Sequence, residues 1–255
     1  MKIIKFIASF LLFLGILVLL VWAIIKSKDQ TCTHISVLIK GSKNTQILTE
    51  SDILHILKTN HSEWEGKAKS KIDLTSIHKI LSRENYIKSV EKVHFLGSKL
   101  QIEVTLFDIL LEVQSKNNEK FLLDVDGTYL PYSPKAGNSI IIAQGVIPHN
   151  FNNKGTLNQG DYLLSELFII ATLICEDSFY SELFKQMNVN DKQEIVLYPS
   201  VGNIPVLFGT TEDAQSKLKS LKYMYEDVLP YMNEDKYAQL DVRFKNRIIA
   251  TKSKT

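Results

Sequence analysis

An uninterrupted run of twenty uncharged residues, 6–25, lies near the amino terminus and constrains the fold class more than any other feature. As a helix rising about 1.5 Å per residue, the run covers the roughly 30 Å hydrocarbon core of a bilayer. A cleaved signal peptide has a shorter apolar region, of about 7 to 15 residues, followed by a small-x-small site. Residues 29–31 before Cys32 lack the small apolar residues that lipoprotein processing needs. The run therefore predicts an uncleaved single-pass anchor in the lipid bilayer.

The flanking charges set only a slight orientation bias. Lys2 and Lys5 precede the run, and Lys26 and Lys28 follow it. The head, residues 1–5, is too short to fold, whereas the long segment after the run can form domains. We expect the amino terminus in the cytoplasm, a neck at residues 26–32, and the folded part outside the cytoplasm.

Composition excludes two broad classes of protein. Thirty Lys and Arg residues against 28 Asp and Glu residues give a net charge of +2, which offers no electrostatic footprint for nucleic acid. The two cysteines allow at most one disulfide. Cys175 lies on an apolar helical stripe, where we expect a buried thiol, and Cys32 lies beside the predicted anchor. We therefore expect neither a bridge nor a disulfide-held scaffold.

The segment 33–107 is predicted to be a compact α+β unit. Residues 34–40 have the pattern of a strand, and Thr49 to Asp52 resemble a capping arrangement for a helix. Asp73 is expected to cap a second helix, and residues 90–96 and 100–106 form two strands joined by a Gly-Ser turn. The order strand, helix, helix, strand, strand predicts two helices on one face of a small sheet.

The segment 108–250 is predicted to be a mixed β domain with flanking helices, followed by a tail at residues 251–255. We predict strands at residues 121–124, 129–131, 139–143, 194–198, 204–208 and 240–244, and helices at 161–176, 178–185 and 212–229. The last strand alternates Leu240, Val242 and Phe244 with charged residues. Overall the fold class is α+β, with one transmembrane helix and two domains.

Motifs for catalysis, cofactors or metals are weak. Asp124 to Gly127 superficially resembles a calcium loop, but the glycine spacing is wrong and a hairpin turn explains it better. The six histidines form no metal-binding spacing. Two Ser-x-x-Lys matches, Ser76 with Lys79 and Ser216 with Lys219, lie on amphipathic helices and lack the accompanying motifs of a wall enzyme. We therefore predict no catalytic, cofactor or metal residues.

In this order the elements resemble the FtsQ/DivIB family of bacterial cell-division proteins. The resemblance rests on residues 86–93, on Leu122 to Pro131, and on Leu240 to Phe244, and it covers nearly the whole chain. It implies a short cytoplasmic head, one span, a polypeptide-transport-associated (POTRA) domain and a β domain. It also implies a location in the inner (plasma) membrane at the division septum, with the carboxyl-terminal domain in the periplasm or an equivalent extracytoplasmic space.

The resemblance further implies a non-enzymatic scaffold that binds the small bitopic coiled-coil proteins FtsB and FtsL, besides other membrane proteins of the divisome. In that family the partner adds to the exposed last strand of the β domain, a mode that suits any strand with one neighbour. The partner-binding residues expected from it are Phe244, Lys245, Asn246, Arg247, Ile248 and Ile249. Leu240 and Val242 are expected to face the core, and charge on Lys245 and Arg247 could equally protect an edge.

Two other functions compete with this interpretation. An envelope chaperone or transport adaptor would use the POTRA-like unit to bind unfolded chains. A cell-wall-modifying enzyme would use Ser216 and Lys219. The first predicts shallow, sequence-tolerant peptide binding by residues 33–107, and the second predicts a covalent β-lactam adduct.

Overall fold

The computed structural model describes residues 2–28, 30–41, 47–60, 64–137, 140–148, 155–158, 160–232, 234–245 and 247–253. The chain divides into two compact units, one of residues 1–40 and 48–106 and the other of residues 41–47 and 107–255. Each unit has its own buried apolar cluster.

The first helix, α1 (Lys2–Lys28), contains the apolar run. Its described large apolar side chains, from Phe10 to Ile24, are exposed. Over the described stretches of the chain, no helix meets both the length and the hydropathy needed to cross a membrane. The predicted span at residues 6–25 therefore stays a prediction.

The first unit combines a small sheet with two helices. Its elements after α1 are β1 (His34–Lys40), α2 (Glu50–Asn60), α3 (Leu74–Leu81), β2 (Ile87–Leu96) and β3 (Lys99–Leu106). The sheet order is β1-β3-β2, with β1 parallel and β2 antiparallel to β3. Apolar side chains of both helices, including Ile53 and Ile77, are fully buried in one cluster with Ile102 and Val104 of the central strand.

Side chains cap both helices of this unit as the sequence predicted. The Asp52 amide donates to Thr49 Oγ1 at 3.3 Å, and the Thr49 amide donates to Asp52 Oδ2 at 2.8 Å. The Thr75 amide donates to Asp73 Oδ1 at 3.0 Å. These bonds satisfy amides at the helix starts that would otherwise lack partners.

The second unit contains one large mixed sheet, with nine strands among its described residues. The strands are β4 (Ile109–Gln114), β5 (Lys120–Asp124), β6 (Tyr129–Pro131), β7 (Ile141–Gly145), β8 (Phe184–Val189), β9 (Ile195–Pro199), β10 (Val206–Gly209), β11 (Tyr237–Asp241) and β12 (Ile249–Lys252). The helices are α4 (Tyr162–Glu176), α5 (Ser178–Leu183) and α6 (Ala214–Tyr223). The sheet order is β12-β11-β10-β9-β8-β7-β4-β5-β6, and helical residues such as Leu167 and Leu221 are buried with the strands in one core.

Three strands escaped prediction, and two other features differ from expectation. β4 and β12 were not predicted, and β8 begins at Phe184 where a helix was expected to continue to Lys185. The predicted long helix at 212–229 ends its α-helical part at Tyr223 and continues as a wider π-helical turn, Met224–Val228. Both cysteines are free as expected, but Cys175 is exposed, whereas Leu167, Ala171 and Ile174 of the same helix are buried.

Candidate protein-binding edge

Strand β12 forms one edge of the large sheet. β11 lies between β10, to which it is parallel, and β12, to which it is antiparallel with Asp241 opposite Ile249. Among the strands described, β12 pairs only with β11. Its other side therefore presents unpaired backbone N–H and C=O groups, which can accept a strand from another chain.

The composition of β12 limits non-specific pairing. The strand has only four residues, and Ile249, Thr251 and Lys252 are exposed. Short length and a lysine are both devices that protect sheet edges from aggregation. A partner strand would thus need further contacts beside the edge in order to bind tightly.

Arg243 holds the loop between β11 and β12 in a defined position. Its Nε and Nη2 donate to the two carboxylate oxygens of Asp241, at 3.0 and 2.7 Å, in a bidentate fork. Its Nη1 donates to the Glu194 carboxylate near the start of β9. A planar guanidinium matches a carboxylate in this geometry. These contacts tie the loop to the last residue of β11 and to the residue that precedes β9.

The same contacts perturb the titration of both acids. Burial opposes ionisation of Asp241, but the hydrogen bonds from Arg243 outweigh it and lower the pKa of this carboxyl. Hydrogen bonds from Asn190 and Arg243 lower the pKa of Glu194. Both side chains are therefore held in their charged forms at neutral pH.

Gly209, the last residue of β10, leaves room for the Arg243 stem. Its φ is +80°, and a Cβ there would lie 2.8 Å from Arg243 Cγ. Any larger residue would thus have a strained backbone and would displace the arginine.

The loop displays Phe244 beside this cation. The Phe244 ring centroid lies 5.8 Å from Arg243 Cζ, within range of a cation–π contact, and 49% of the residue surface is exposed. The Arg247 amide donates to the Phe244 carbonyl at 3.2 Å, which closes a turn, and Lys245 and Arg247 are exposed. An exposed aromatic ring among cations is a typical anchor of a protein interface.

Helix α6 borders the loop and is fixed to the sheet by a buried lysine. Lys217 Nζ donates to the carbonyls of Phe208 at 3.1 Å and Thr210 at 2.9 Å. Burial lowers the pKa of Lys217. Two clefts of about 240 and 620 Å³ lie between α6 and the loop. The larger is lined by residues that include Lys219, Tyr223, Val228, Arg247 and Ile248.

Comparison with known families identifies both units. The family described as FtsQ/DivIB, C-terminal related, matches residues 110–251, and the POTRA-like domain family matches residues 30–105. The chain belongs to the FtsQ/DivIB-related family. No curated protein shows significant sequence similarity to it. The predicted resemblance is confirmed, and the family associates the protein with cell division.

In this FtsQ/DivIB-related protein, the predicted terminal strand differs from the observed one. It was expected to run from Leu240 to Phe244 with one neighbour, but β11 ends at Asp241 and has a neighbour on each side. Leu240 and Val242 are buried, as expected of core residues. The open edge belongs instead to β12, which pairs with β11 and extends through Lys252 into the predicted tail.

The five predicted binding residues that the structure describes lie in or next to the β11–β12 loop. Phe244, Lys245 and Arg247 are exposed loop residues, and Ile249 is the first residue of β12 and 46% exposed. Ile248 is partly buried and packs against the core. Asn246 lies outside the described residues. The structure thus brings five of the six together at the sheet edge.

Arg243 is the organising residue that sequence reasoning missed. The sequence does indicate its contact with Asp241, because the two residues are two positions apart and share one face of an extended chain. The Glu194 contact could not be foreseen, since the two residues are 49 positions apart.

The residues of the enzyme alternative lie beside the same loop. Ser216 and Lys219 line the larger cleft. Within the described part of the chain, no hydrogen bond joins the Ser216 hydroxyl to the Lys219 ammonium, and no group of three or more His, Cys, Asp or Glu side chains is placed to hold a metal ion. Nothing in this geometry marks Ser216 as a nucleophile.

Proposed function

We propose that the protein is a membrane-anchored, non-catalytic scaffold of the bacterial divisome that binds FtsB-like and FtsL-like bitopic coiled-coil proteins. The observation that carries the proposal is the open edge of β12 next to the exposed ring of Phe244. Family membership supports the link to division.

The edge and the loop supply different parts of the binding energy. A partner strand paired with β12 would gain main-chain hydrogen bonds, which contribute affinity but little selectivity. Phe244 would supply a desolvated anchor, and Lys245 and Arg247 would favour a partner with acidic side chains next to its strand. The ion pairs of Arg243 with Asp241 and Glu194 hold this loop in place before binding, which reduces the entropy lost on association.

The anchor belongs to the same proposal. The described large apolar side chains of α1, between Phe10 and Ile24, are exposed. Exposed apolar surface is unfavourable in water and favourable in the hydrocarbon core of a bilayer. We propose that residues 6–25 span the inner membrane, with the amino terminus in the cytoplasm, and that the protein and its divisome partners concentrate at the septum. Resistance of the protein to alkaline carbonate extraction tests the anchor independently of any partner.

The binding site is tested by photo-crosslinking in dividing cells. A photoreactive residue at Phe244 or Ile249 should capture small single-span coiled-coil proteins, identified by mass spectrometry. The matched control is Tyr132, which is exposed next to β6 at the opposite sheet edge and should capture none of them. Capture of secreted or outer-membrane chains would favour a chaperone instead, and equal capture from all three positions would refute a site at β12.

A further inference from the structure

The residues that follow α1 are bonded tightly to the first unit. The Lys69 amide donates to the Gln30 carbonyl at 3.0 Å, and the Cys32 amide donates to the Lys67 carbonyl at 2.8 Å. Lys69 Nζ also donates to Gln30 Oε1 at 2.7 Å. The loop at residues 64–71 is therefore fixed to the chain immediately after the proposed anchor.

The tip of the β2–β3 hairpin lies at the same end of the unit. The Thr33 amide donates to the Ser98 carbonyl at 2.9 Å, and Lys69 Nζ lies 5.6 Å from the centroid of the Phe95 ring. At the tip, 65% of the surface of Leu96 is exposed. An apolar side chain of this size gains free energy when it leaves water.

Gln30, the loop at 69–74 and the hairpin at 95–97 surround an open cleft of about 580 Å³. Lys69 lines it, and Lys67, Lys71 and Lys99 are exposed on the segments around it. Among the described residues of these segments, two are acidic, Glu65 and Asp73, against four lysines. The Asp73 carboxylate already accepts the Thr75 amide at the start of α3. Positive charge is therefore in excess around the cleft.

The length of the connection limits how far this end can be from a membrane. If residues 6–25 form the anchor, five residue steps join Ile25 to Gln30 and can span at most about 18 Å. The headgroup layer takes up about 5 to 7 Å of that distance. Gln30 thus lies at most about 13 Å outside the headgroups, close to the 8 to 10 Å over which salt screens charge.

We propose that this end of the POTRA-like unit binds the headgroups of anionic phospholipids, with the four lysines around the cleft contacting phosphate and Leu96 reaching the interface. The inference rests on the proposed membrane anchor. Such contact orients the first unit on the bilayer. Each lysine near an anionic surface strengthens binding by about fivefold at low salt, which makes the contact dependent on lipid charge.

The test uses the full chain with a nitroxide at Leu96→Cys, in a Cys175→Ser background that retains the buried Cys32. The protein is reconstituted into nanodiscs of phosphatidylethanolamine alone or with phosphatidylglycerol, and accessibility of the label to a water-soluble relaxation agent is measured. A label at Asn85→Cys, before β2 at the opposite end of the sheet, is the control. We expect phosphatidylglycerol to protect position 96 and to leave position 85 unchanged.

Charge-neutral variants separate headgroup binding from mere proximity. Lys67→Gln, Lys71→Gln and Lys99→Gln together should lower the ratio of docked to undocked protein about 100-fold at low salt. The matched triple variant is Lys58→Gln, Lys79→Gln and Lys88→Gln, which are exposed elsewhere on the unit and should retain protection.

The outcomes distinguish the inference from the anchor on which it rests. A chain that enters nanodiscs but shows the same accessibility at position 96 with either lipid overturns headgroup binding and leaves the anchor intact. Equal loss of protection in both triple variants would also overturn it. A chain that fails to enter nanodiscs overturns the anchor, and the inference with it.

Discussion

Replacing Arg243 with Gln should destabilise the second unit by about 2 kcal/mol at pH 7. The guanidinium side chain is 35% exposed, whereas the Asp241 side chain is 13% exposed and would lose the charged bidentate fork while keeping the residue 243 amide as a donor at 3.1 Å. A hydrogen bond to a charged group contributes about 1.5 to 3 kcal/mol when buried. Because the guanidinium is partly exposed, the bonds to Asp241 contribute less than the upper end of this range. The partly exposed ion pair with Glu194 adds little further stability.

The assay is urea unfolding of a fragment covering residues 30–255. Far-UV circular dichroism reports both units, and fluorescence of Trp64, the one tryptophan in that segment of the sequence, reports the first unit alone. Arg243→Gln should shift the dichroism transition and leave the Trp64 transition in place. The control Arg247→Gln, an exposed arginine in the same loop, should change the free energy of unfolding by less than about 0.5 kcal/mol.

The effect should also depend on pH with a defined sign. The folded-state pKa values of Asp241 and Glu194 lie below the ordinary values of 3.8 and 4.5. Their stabilisation by Arg243 is therefore present above those ordinary values and is lost as the pH falls through the lowered ones. The difference between parent and variant should vanish in strong acid. A difference that is absent at pH 7, or that persists after both acids are protonated, would refute the assigned role of Arg243.

Three further predictions concern single residues. Phe244→Glu should abolish capture of the partner without changing the urea midpoint, because the ring is half exposed; a variant that still binds the partner would contradict its role as an anchor. Asp73→Ala should remove the bond to the Thr75 amide and cost about 1 kcal/mol in the transition followed by Trp64, whereas an unchanged midpoint would exclude a stabilising cap. Burial raises the pKa of Asp124, whose Oδ1 accepts the Thr128 amide, so the parent should gain stability relative to Asp124→Asn as the pH is lowered from 7 towards 4. Urea titrations at both values measure this gain, and a parent that instead loses stability relative to the variant would contradict the assignment.

The first unit was largely predictable because its signals are local. Period-two alternation marked β3, the Gly-Ser turn marked the hairpin, and polar residues at the helix starts marked both caps. Each of these features depends on residues a few positions apart. A sequence records such short-range preferences directly.

The missed strands show where local signals fail. In β8, Phe184, Met187 and Val189 are buried, but the intervening Lys, Gln and Asn residues break the alternation. β8 pairs in parallel with β7 and antiparallel with β9, and β4 also pairs in parallel with β7. Parallel neighbours are joined by long connections, so their pairing leaves little trace in adjacent residues.

In the candidate site, too, local features were predictable from the sequence and long-range contacts were not. By itself the sequence determined the family resemblance, the apolar run at 6–25 and the cluster of aromatic, basic and apolar residues after Asp241, because each is a contiguous pattern. Only the tertiary structure decided that β12, rather than the strand before it, forms the sheet edge, and that Arg243 ties the loop to Glu194. Both outcomes depend on which distant strands pair, and that is settled by packing of the whole sheet.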